Sequence, residues 1–503
     1  MLLNYCLKLL FYMPLIFFLY QRPLLAKEWL FSPSLSIGQI YTDNVNLSAK
    51  NKQSAFITQT SPGIRVNRNT DRIKFSLNYK LQNLFNARNA QNNLYHFLQL
   101  DSRFKLIDNS LFLEARAGNN QQNINNNINS NSNAVGSLNR TNVTSYGFSP
   151  HWTPHFNGYA VGDIRFNYDE IKTGSNAIAN STKTEEIINI TSDRRFSNNL
   201  MWRIAYANRE EKRNNNNSIK FQNAEAEARF KITKNLNLFA LVGESNIQYQ
   251  TTNNSYKNGV YYTVGAQWKP MRQFNIEAGY GINSHVTINV MPFRNFNWAT
   301  TFRNRGIGSN IGNTWQTNLN YTLKHAAVNA TYFEDTTSSQ GVLLSQAYAA
   351  QNIYQQAHQI PDQINYNISS LSNEVYIRKL ANVGFDYLTG KSTFSTKLYD
   401  ERRIFQESGL KEEVTGLLAS WNWQFAHTMT AYISPLWQHT SRFNSSDNRK
   451  DIAVGISRFI PIQFGTHAGV NAVFEYRYSN QDSDVIENSF DENRLTANLL
   501  IAF

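Results

Sequence analysis

The segment Ile73-Lys74-Phe75-Ser76-Leu77-Asn78-Tyr79-Lys80-Leu81-Gln82 carries the alternation that decides the fold. Its odd-numbered residues are apolar or aromatic, and its even-numbered residues are polar or charged. Successive side chains of a β-strand point to opposite faces, so an extended chain here has one apolar face and one wetted face. An amphipathic helix is excluded, because its apolar residues return every 3.6 positions.

The same period of two recurs downstream. Ala224, Ala226, Ala228, Phe230 and Ile232 alternate with Glu225, Glu227, Arg229 and Lys231. Trp315, Thr317, Leu319, Tyr321 and Leu323 alternate with Gln316, Asn318, Asn320 and Thr322. Leu417, Ala419, Trp421, Trp423 and Phe425 alternate with Leu418, Ser420, Asn422 and Gln424. Such segments of about ten residues, separated by turns, amount to about 22 strands, within a range of roughly 18 to 24. The expected fold is all-β, a transmembrane antiparallel β-barrel.

The connections carry further information. After every second strand they are short, as at Asn69-Thr70-Asp71, Thr153-Pro154-His155, Thr233-Lys234-Asn235, Thr389-Gly390-Lys391 and Ala426-His427. The intervening ones are longer and polar, at 119–142, 170–183, 282–314, 335–373 and 479–491. Outer-membrane barrels have short periplasmic turns and long outer loops. An even strand count then puts both termini on the periplasmic side. Aromatic residues toward strand ends, such as Tyr262 with Trp268 and Trp315 with Tyr321, suit interfacial girdles. A propeller would show an internal repeat of about 40 to 50 residues, and the sequence has none.

Leu495, Ala497, Leu499, Ile501 and Phe503 continue the apolar alternation to a terminal aromatic residue. Leu499, Ile501 and Phe503 resemble the C-terminal signal of outer-membrane proteins, which makes the barrel-assembly machinery an expected partner.

Composition agrees with this reading. Mean hydropathy is −0.48, which excludes a polytopic helical membrane protein. A barrel escapes that test, because only alternate side chains meet lipid. Met1 to Ala26 reads as a secretory signal, with Lys8 ahead of the apolar run Leu9–Tyr20 and a cleavage site at Leu24-Leu25-Ala26. Residues 27–503 are then the barrel domain. The only cysteine, Cys6, lies in that signal, so the mature chain carries no thiol, as suits an oxidising envelope compartment. Cleavage removes Lys8 and Arg22 and lowers the net charge from +12 to +10. The remaining cations are spread singly, without the clustering that nucleic-acid binding needs.

No motif for catalysis or metal binding appears. The nine histidines are scattered, and HExxH, Gly-x-Ser-x-Gly and phosphate-loop patterns are absent. No cofactor is expected. A Ser/His pair could meet across neighbouring strands, but no motif singles out Ser395 or Ser420 with a distant histidine, and polar lumen or loop residues are the plainer reading. The polar strand face is the candidate site instead. Lys74, Lys80, Arg103, Lys105, Arg116, Arg165, Arg203, Arg229 and Lys231 are the expected lumen-lining cations, with Asp101, Glu114, Asp163, Glu225, Glu227 and Glu277 among them. Rings of Arg and Lys favour anions in aqueous pores, whereas ion-pair ladders bracing the wall are the structural alternative. Leu343, Ala347, Ala350, Tyr354 and Ala357 have helical spacing, so a short helix is expected within 335–373, folded either into the channel or over it.

Trp29 to Leu35, Tyr41-Thr42-Asp43-Asn44-Val45 and Ser61-Pro62-Gly63-Ile64 resemble the start of the porin-like β-barrel proteins associated with the PEP-CTERM/exosortase system. The resemblance continues as a strand pattern to Phe503. It implies an outer-membrane component of loci for surface-protein sorting and exopolysaccharide production, and no catalytic residues. The chain has no Pro-Glu-Pro sorting tail, which fits a system component and not a sorted substrate.

The expected function is thus a porin-like channel or polymer-export component of the bacterial outer membrane. Lipids, lipopolysaccharide and anionic solutes or polysaccharide are its expected partners. The alternative is a structural or adhesive barrel with a plugged lumen and partner-binding loops.

Overall fold

A computed structural model describes residues 29–502 except 125–131, 137–138, 177, 215–217, 253–254, 346–371 and 462–468. The proposed signal 1–26 and Phe503 lie outside the described residues. The barrel strands in chain order are β1 Trp29–Thr42, β2 Ala55–Asn69, β3 Ile73–Asn86, β4 Gln91–Ile107, β5 Leu111–Asn123, β6 Arg140–Trp152, β7 Ala160–Thr173 and β8 Ser181–Ser192. There follow β9 Leu200–Arg213, β10 Ser218–Lys231, β11 Leu236–Gln248, β12 Gly259–Met271, β13 Phe274–Gly281, β14 Asn283–Val290, β15 Phe296–Arg305 and β16 Gly312–Thr322. The last third comprises β17 Ala326–Ser338, β18 Val375–Leu388, β19 Ser392–Phe405, β20 Lys411–Ala426, β21 Met429–Arg442, β22 Ser445–Pro461, β23 Gly469–Ser483 and β24 Phe490–Ala502.

Each strand pairs antiparallel with its neighbours in sequence, and β24 pairs with β1 from Ser34↔Ala502 to Thr42↔Arg494. That last ladder closes the sheet and leaves no open edge, as a barrel requires. There are 24 strands, not about 22. The two missed strands are β14 and β15, which occupy the stretch 282–314 expected to be a loop. They are short, and β13 turns into β14 through the single residue Ile282, so no loop of its own announces this hairpin.

The expected loops also shrink. Residues 119–142 become 124–139, 170–183 become 174–180, and 479–491 become 484–489. Strand ends such as Asn119–Asn123 are polar on both faces and therefore show no hydropathy alternation. Backbone pairing carries them on nevertheless, through register such as Asn119↔Thr144 and Asn123↔Arg140. One end of the barrel still carries the long connections, above all 339–374, and the other carries turns such as 70–72, 272–273 and 427–428.

Register fixes which side chains share a face. Cross-strand partners lie on the same side, so Trp437↔Leu417 and Phe302↔Trp315 belong to one face. Followed strand by strand, all nine tryptophans fall on that face, together with the exposed apolar residues Phe474, Val264, Leu499 and Leu398. Trp29, Trp152, Trp202, Trp268, Trp298 and Trp423 sit near the short-turn ends of their strands. An apolar outer belt with a Trp girdle is what the lipid–water boundary selects. Leu499 lies on this outer face opposite Ile37 and Ala472, and Ile501 opposite Leu35 and Val470. No helix among the described residues is long and apolar enough to cross a membrane.

Candidate functional site

The opposite face forms the inner wall, and it is polar. All nine cations named from the sequence share its strand parity: Lys74 and Lys80 on β3, Arg103 and Lys105 on β4, Arg116 on β5, Arg165 on β7, Arg203 on β9, and Arg229 and Lys231 on β10. Most of them are paired. Arg103 lies 3.7 Å from Glu114, Arg165 3.5 Å from Glu114, and Lys105 3.9 Å from Asp108. Arg203 reaches Glu225 at 3.2 Å and Glu227 at 3.3 Å. Arg229 bridges Glu227 and Glu277, each at 2.7 Å, and its guanidinium lies over the Phe239 ring. Lys80 sits over the Phe97 ring. Lys74 and Lys231 make no ion pair among the described residues. The inner wall therefore carries the ion-pair ladder that stood as the structural alternative, and its positive surplus is small over this stretch.

Several of these contacts skip a strand. Arg116 on β5 donates two 3.0 Å hydrogen bonds to Asp169 on β7, crossing over Gly147 on β6. A Cβ at Gly147 would overlap the Asp169 carboxylate, so only glycine leaves this passage open. Tyrosines repeat the device. Tyr261 lies over Gly243 and donates to Glu225 at 2.7 Å. Tyr399 lies over Gly416 and donates to Gln438 at 2.9 Å. Tyr432 lies over Gly455 and donates to Glu475 at 2.8 Å. In each case the glycine is the tyrosine's direct cross-strand partner.

A second ionic band, which the sequence reading did not single out, lines the last third of the barrel near the loop end. Arg403 donates to Glu401 at 2.6 Å and to Glu412 at 2.8 Å, and all three are almost wholly buried. Arg442 reaches Asp447 at 2.6 Å, Arg449 reaches Asp451 at 2.6 Å, and Arg477 reaches Glu475 at 3.1 Å. The signal was present in the spacing: Glu401/Arg403, Arg449/Asp451 and Glu475/Arg477 are opposite charges two residues apart, hence on one face of a strand.

Burial along the inner wall falls from the loop end to the turn end. On β20, Glu412, Val414, Gly416 and Leu418 are buried, Ser420 and Asn422 half-buried, and Gln424 and Ala426 exposed. On β22, the inner residues from Asp447 to Ser457 are buried, whereas Phe459 and Pro461 are exposed. Four strands from β20, the inner residues Gln316, Asn318 and Asn320 of β16 are open to solvent.

Two loops fold inward at the narrow end. Residues 339–345 are helical, and Leu343 and Leu344 pack on Val143 and Ile171 of the inner wall. Both ends of this connection are tied down. Ser338 donates to Glu211 at 2.7 Å, while Arg213 reaches Gln340 at 3.3 Å and also bonds the Asn373 carbonyl. The expected helix thus begins within the lumen; Ala347, Ala350, Tyr354 and Ala357 lie outside the described residues. The second loop packs on β1 to β3: Ala134 lies against Ile40, Ala55, Ile57 and Leu84, and Asn133 donates to Gln82 at 2.8 Å.

Ser395 and Ser420 are cross-strand partners, and neither bonds a histidine among the described residues. No group of three or more His, Cys, Asp or Glu that could hold a metal occurs among the described residues.

Fold and wall together define a transmembrane β-barrel of the outer-membrane kind. No family model and no curated protein matches the chain. Solved structures do. The FrpB iron transporter from Neisseria meningitidis (F5-1 variant, apoprotein form) aligns with a TM-score of 0.48 at 11% identity, over 95% of this chain and 82% of that one. OccK2 (OpdF) from Pseudomonas aeruginosa, in complex with glucuronate, gives 0.35 at 8% identity, over 94% and 98%. A loop deletion mutant of OmpT, an outer membrane protein of Vibrio cholerae, gives 0.32 at 9% identity, over 94% and 99%. The likeness concerns the barrel alone.

Proposed function

We propose that the chain is a porin-like channel of the bacterial outer membrane, both termini periplasmic, serving passage of polar solutes or a surface polymer and performing no catalysis. One observation carries this reading: a largely polar inner wall, open at the turn end and narrowed at the loop end, where residues 132–136 and 339–345 pack on its apolar patches. Outer-membrane lipids and lipopolysaccharide surround the apolar belt, and the assembly machinery reads the C-terminal strand. The link to an exosortase-type polysaccharide locus rests on the sequence resemblance; exosortase and polymer genes beside this one would support it. Reconstitution of residues 27–503 in planar bilayers tests the channel, with discrete conductance steps as the expected result.

A second reading is a surface barrel with a plugged lumen whose loops bind partners. The burial of Glu401, Arg403 and Glu412 near the loop end favours it. An intact, folded barrel that conducts nothing would establish this second reading over the first.

A further inference from the structure

The two rims of the barrel differ in charge, although the short turns contain few residues. Arg72, Arg194, Arg195 and Lys234 stand in turns from β2–β3 to β10–β11, and Arg272, Arg294, Lys324 and Lys391 in those from β12–β13 to β18–β19. Every one of these side chains is exposed. Against these eight cations the same rim sets three acids, Asp71, Asp108 and Asp193. Only Arg72 makes an ion pair among the described residues, a 3.6 Å solvent-exposed contact with Asp108. The connections at the loop rim carry four cations, Lys50, Lys52, Arg88 and Lys257, against five acids, Asp43, Glu374, Glu407, Asp484 and Glu487, among the described residues. The barrel is electrically polarised along its axis.

Further cations stand just inside this rim on the inner wall. Lys74 and Lys231 make no ion pair among the described residues, and Asp386 is an exposed acid on the same wall, whereas the outer face at this level is mainly aromatic, with Trp29, Trp152, Trp202, Trp268 and Trp298 beside Arg68 and Arg458. A ring of one sign around an opening concentrates counter-ions in it. Because the cations are spread over most of the turns, a single small anion meets one at a time, while a chain with a carboxylate on each unit engages several at once.

We propose that the turn-side mouth is an electrostatic funnel for polyanionic oligomers, acidic sugar chains in particular, which enter the lumen from that side. The proposal rests on the channel reading above and adds a ligand class and a direction to it.

The test uses residues 27–503 in bilayers of zwitterionic phosphatidylcholine at ~0.1 M salt, where the Debye length is about 10 Å. A protease site inserted within 407–409 reports orientation. Oligogalacturonate and maltodextrin of equal length are added to one compartment at a time. Oligogalacturonate on the turn side is expected to block current at a concentration about tenfold lower than on the loop side, and maltodextrin to show no such preference. The variant R72Q/K234Q/R272Q/K324Q/K391Q, altered only at exposed turn positions, is expected to abolish the difference, as is ~1 M salt. Equal block from both sides, equal block by maltodextrin, or an unchanged variant would overturn the funnel. Should the barrel conduct nothing, the channel fails separately; retention of oligogalacturonate by nanodisc-embedded barrel, wild type against variant, then decides the funnel, and absence of retention overturns it. Retention of anionic phosphatidylglycerol in place of the oligomer would assign the rim to lipid headgroups and also overturn it.

Discussion

Tyr432 lies flat across Gly455, its cross-strand partner, and thereby reaches Glu475 one strand further on. The glycine is the condition for the hydrogen bond: without a Cβ at 455 the phenol can cross the strand close to the backbone. The same relation joins Tyr261 to Gly243 and Tyr399 to Gly416, so three stretches of wall are stitched over three strands each.

Gly455→Ala therefore places a methyl group inside the Tyr432 ring and is expected to destabilise the barrel by about 1–3 kcal/mol. Tyr432→Phe keeps the ring and costs about 1–3 kcal/mol by leaving the buried Glu475 one donor short. Adding Tyr432→Ala to Gly455→Ala relieves the overlap, so the two losses are less than additive. Urea unfolding of the refolded barrel, as a double-mutant cycle, measures this.

Arg403 holds two buried carboxylates, Glu401 and Glu412. Its replacement by Met strands both and is expected to cost about 3–5 kcal/mol, whereas Met together with Glu401→Leu and Glu412→Leu recovers most of that loss. Thermal unfolding in detergent compares the three proteins. A single variant as stable as wild type would show that these charges are hydrated.

The outer and inner faces respond oppositely to a new charge. Val264→Arg, on the exposed apolar face near the middle of β12, is expected to cost about 2–4 kcal/mol in a bilayer. Asn318→Arg, at a similar height on the open inner wall, is expected to be close to neutral. Folding titrations into lipid vesicles read both.

Leu343 and Leu344 anchor the inward start of the 339–374 connection. Deletion of 341–357 is expected to raise single-channel conductance, because it removes material from the narrow end. Unchanged conductance would mean that this segment does not limit the path.

The alternation in Ile73–Gln82 and Leu417–Phe425 made both the barrel and its two faces legible, because lipid on one side and water on the other impose that period on the sequence itself. It could not reveal β14 and β15, whose strands are brief and joined to β13 by one residue, nor the polar strand ends, where both faces meet water. The shared strand parity of the nine cations was legible. Their partners were not, since the Arg116–Asp169 contact and the Tyr–Gly crossings depend on register between strands, which no single strand encodes. Hydropathy likewise hid the second ionic band, since Glu401/Arg403 lie in the charged run Asp400–Arg403, where both faces are charged, and Glu475/Arg477 lie between the aromatic residues Phe474, Tyr476 and Tyr478.

The most direct test uses the absence of cysteine beyond Cys6 to place single cysteines one at a time along 412–425 of β20 in the bilayer-embedded barrel. Positions 414, 416, 418, 420, 422 and 424 are expected to react with a water-soluble maleimide to an extent that grows toward 424, while 417, 419, 421, 423 and 425 react only with a lipid-soluble probe. Water-soluble labelling of both sets alike would contradict a barrel wall with lipid on one side and a polar lumen on the other.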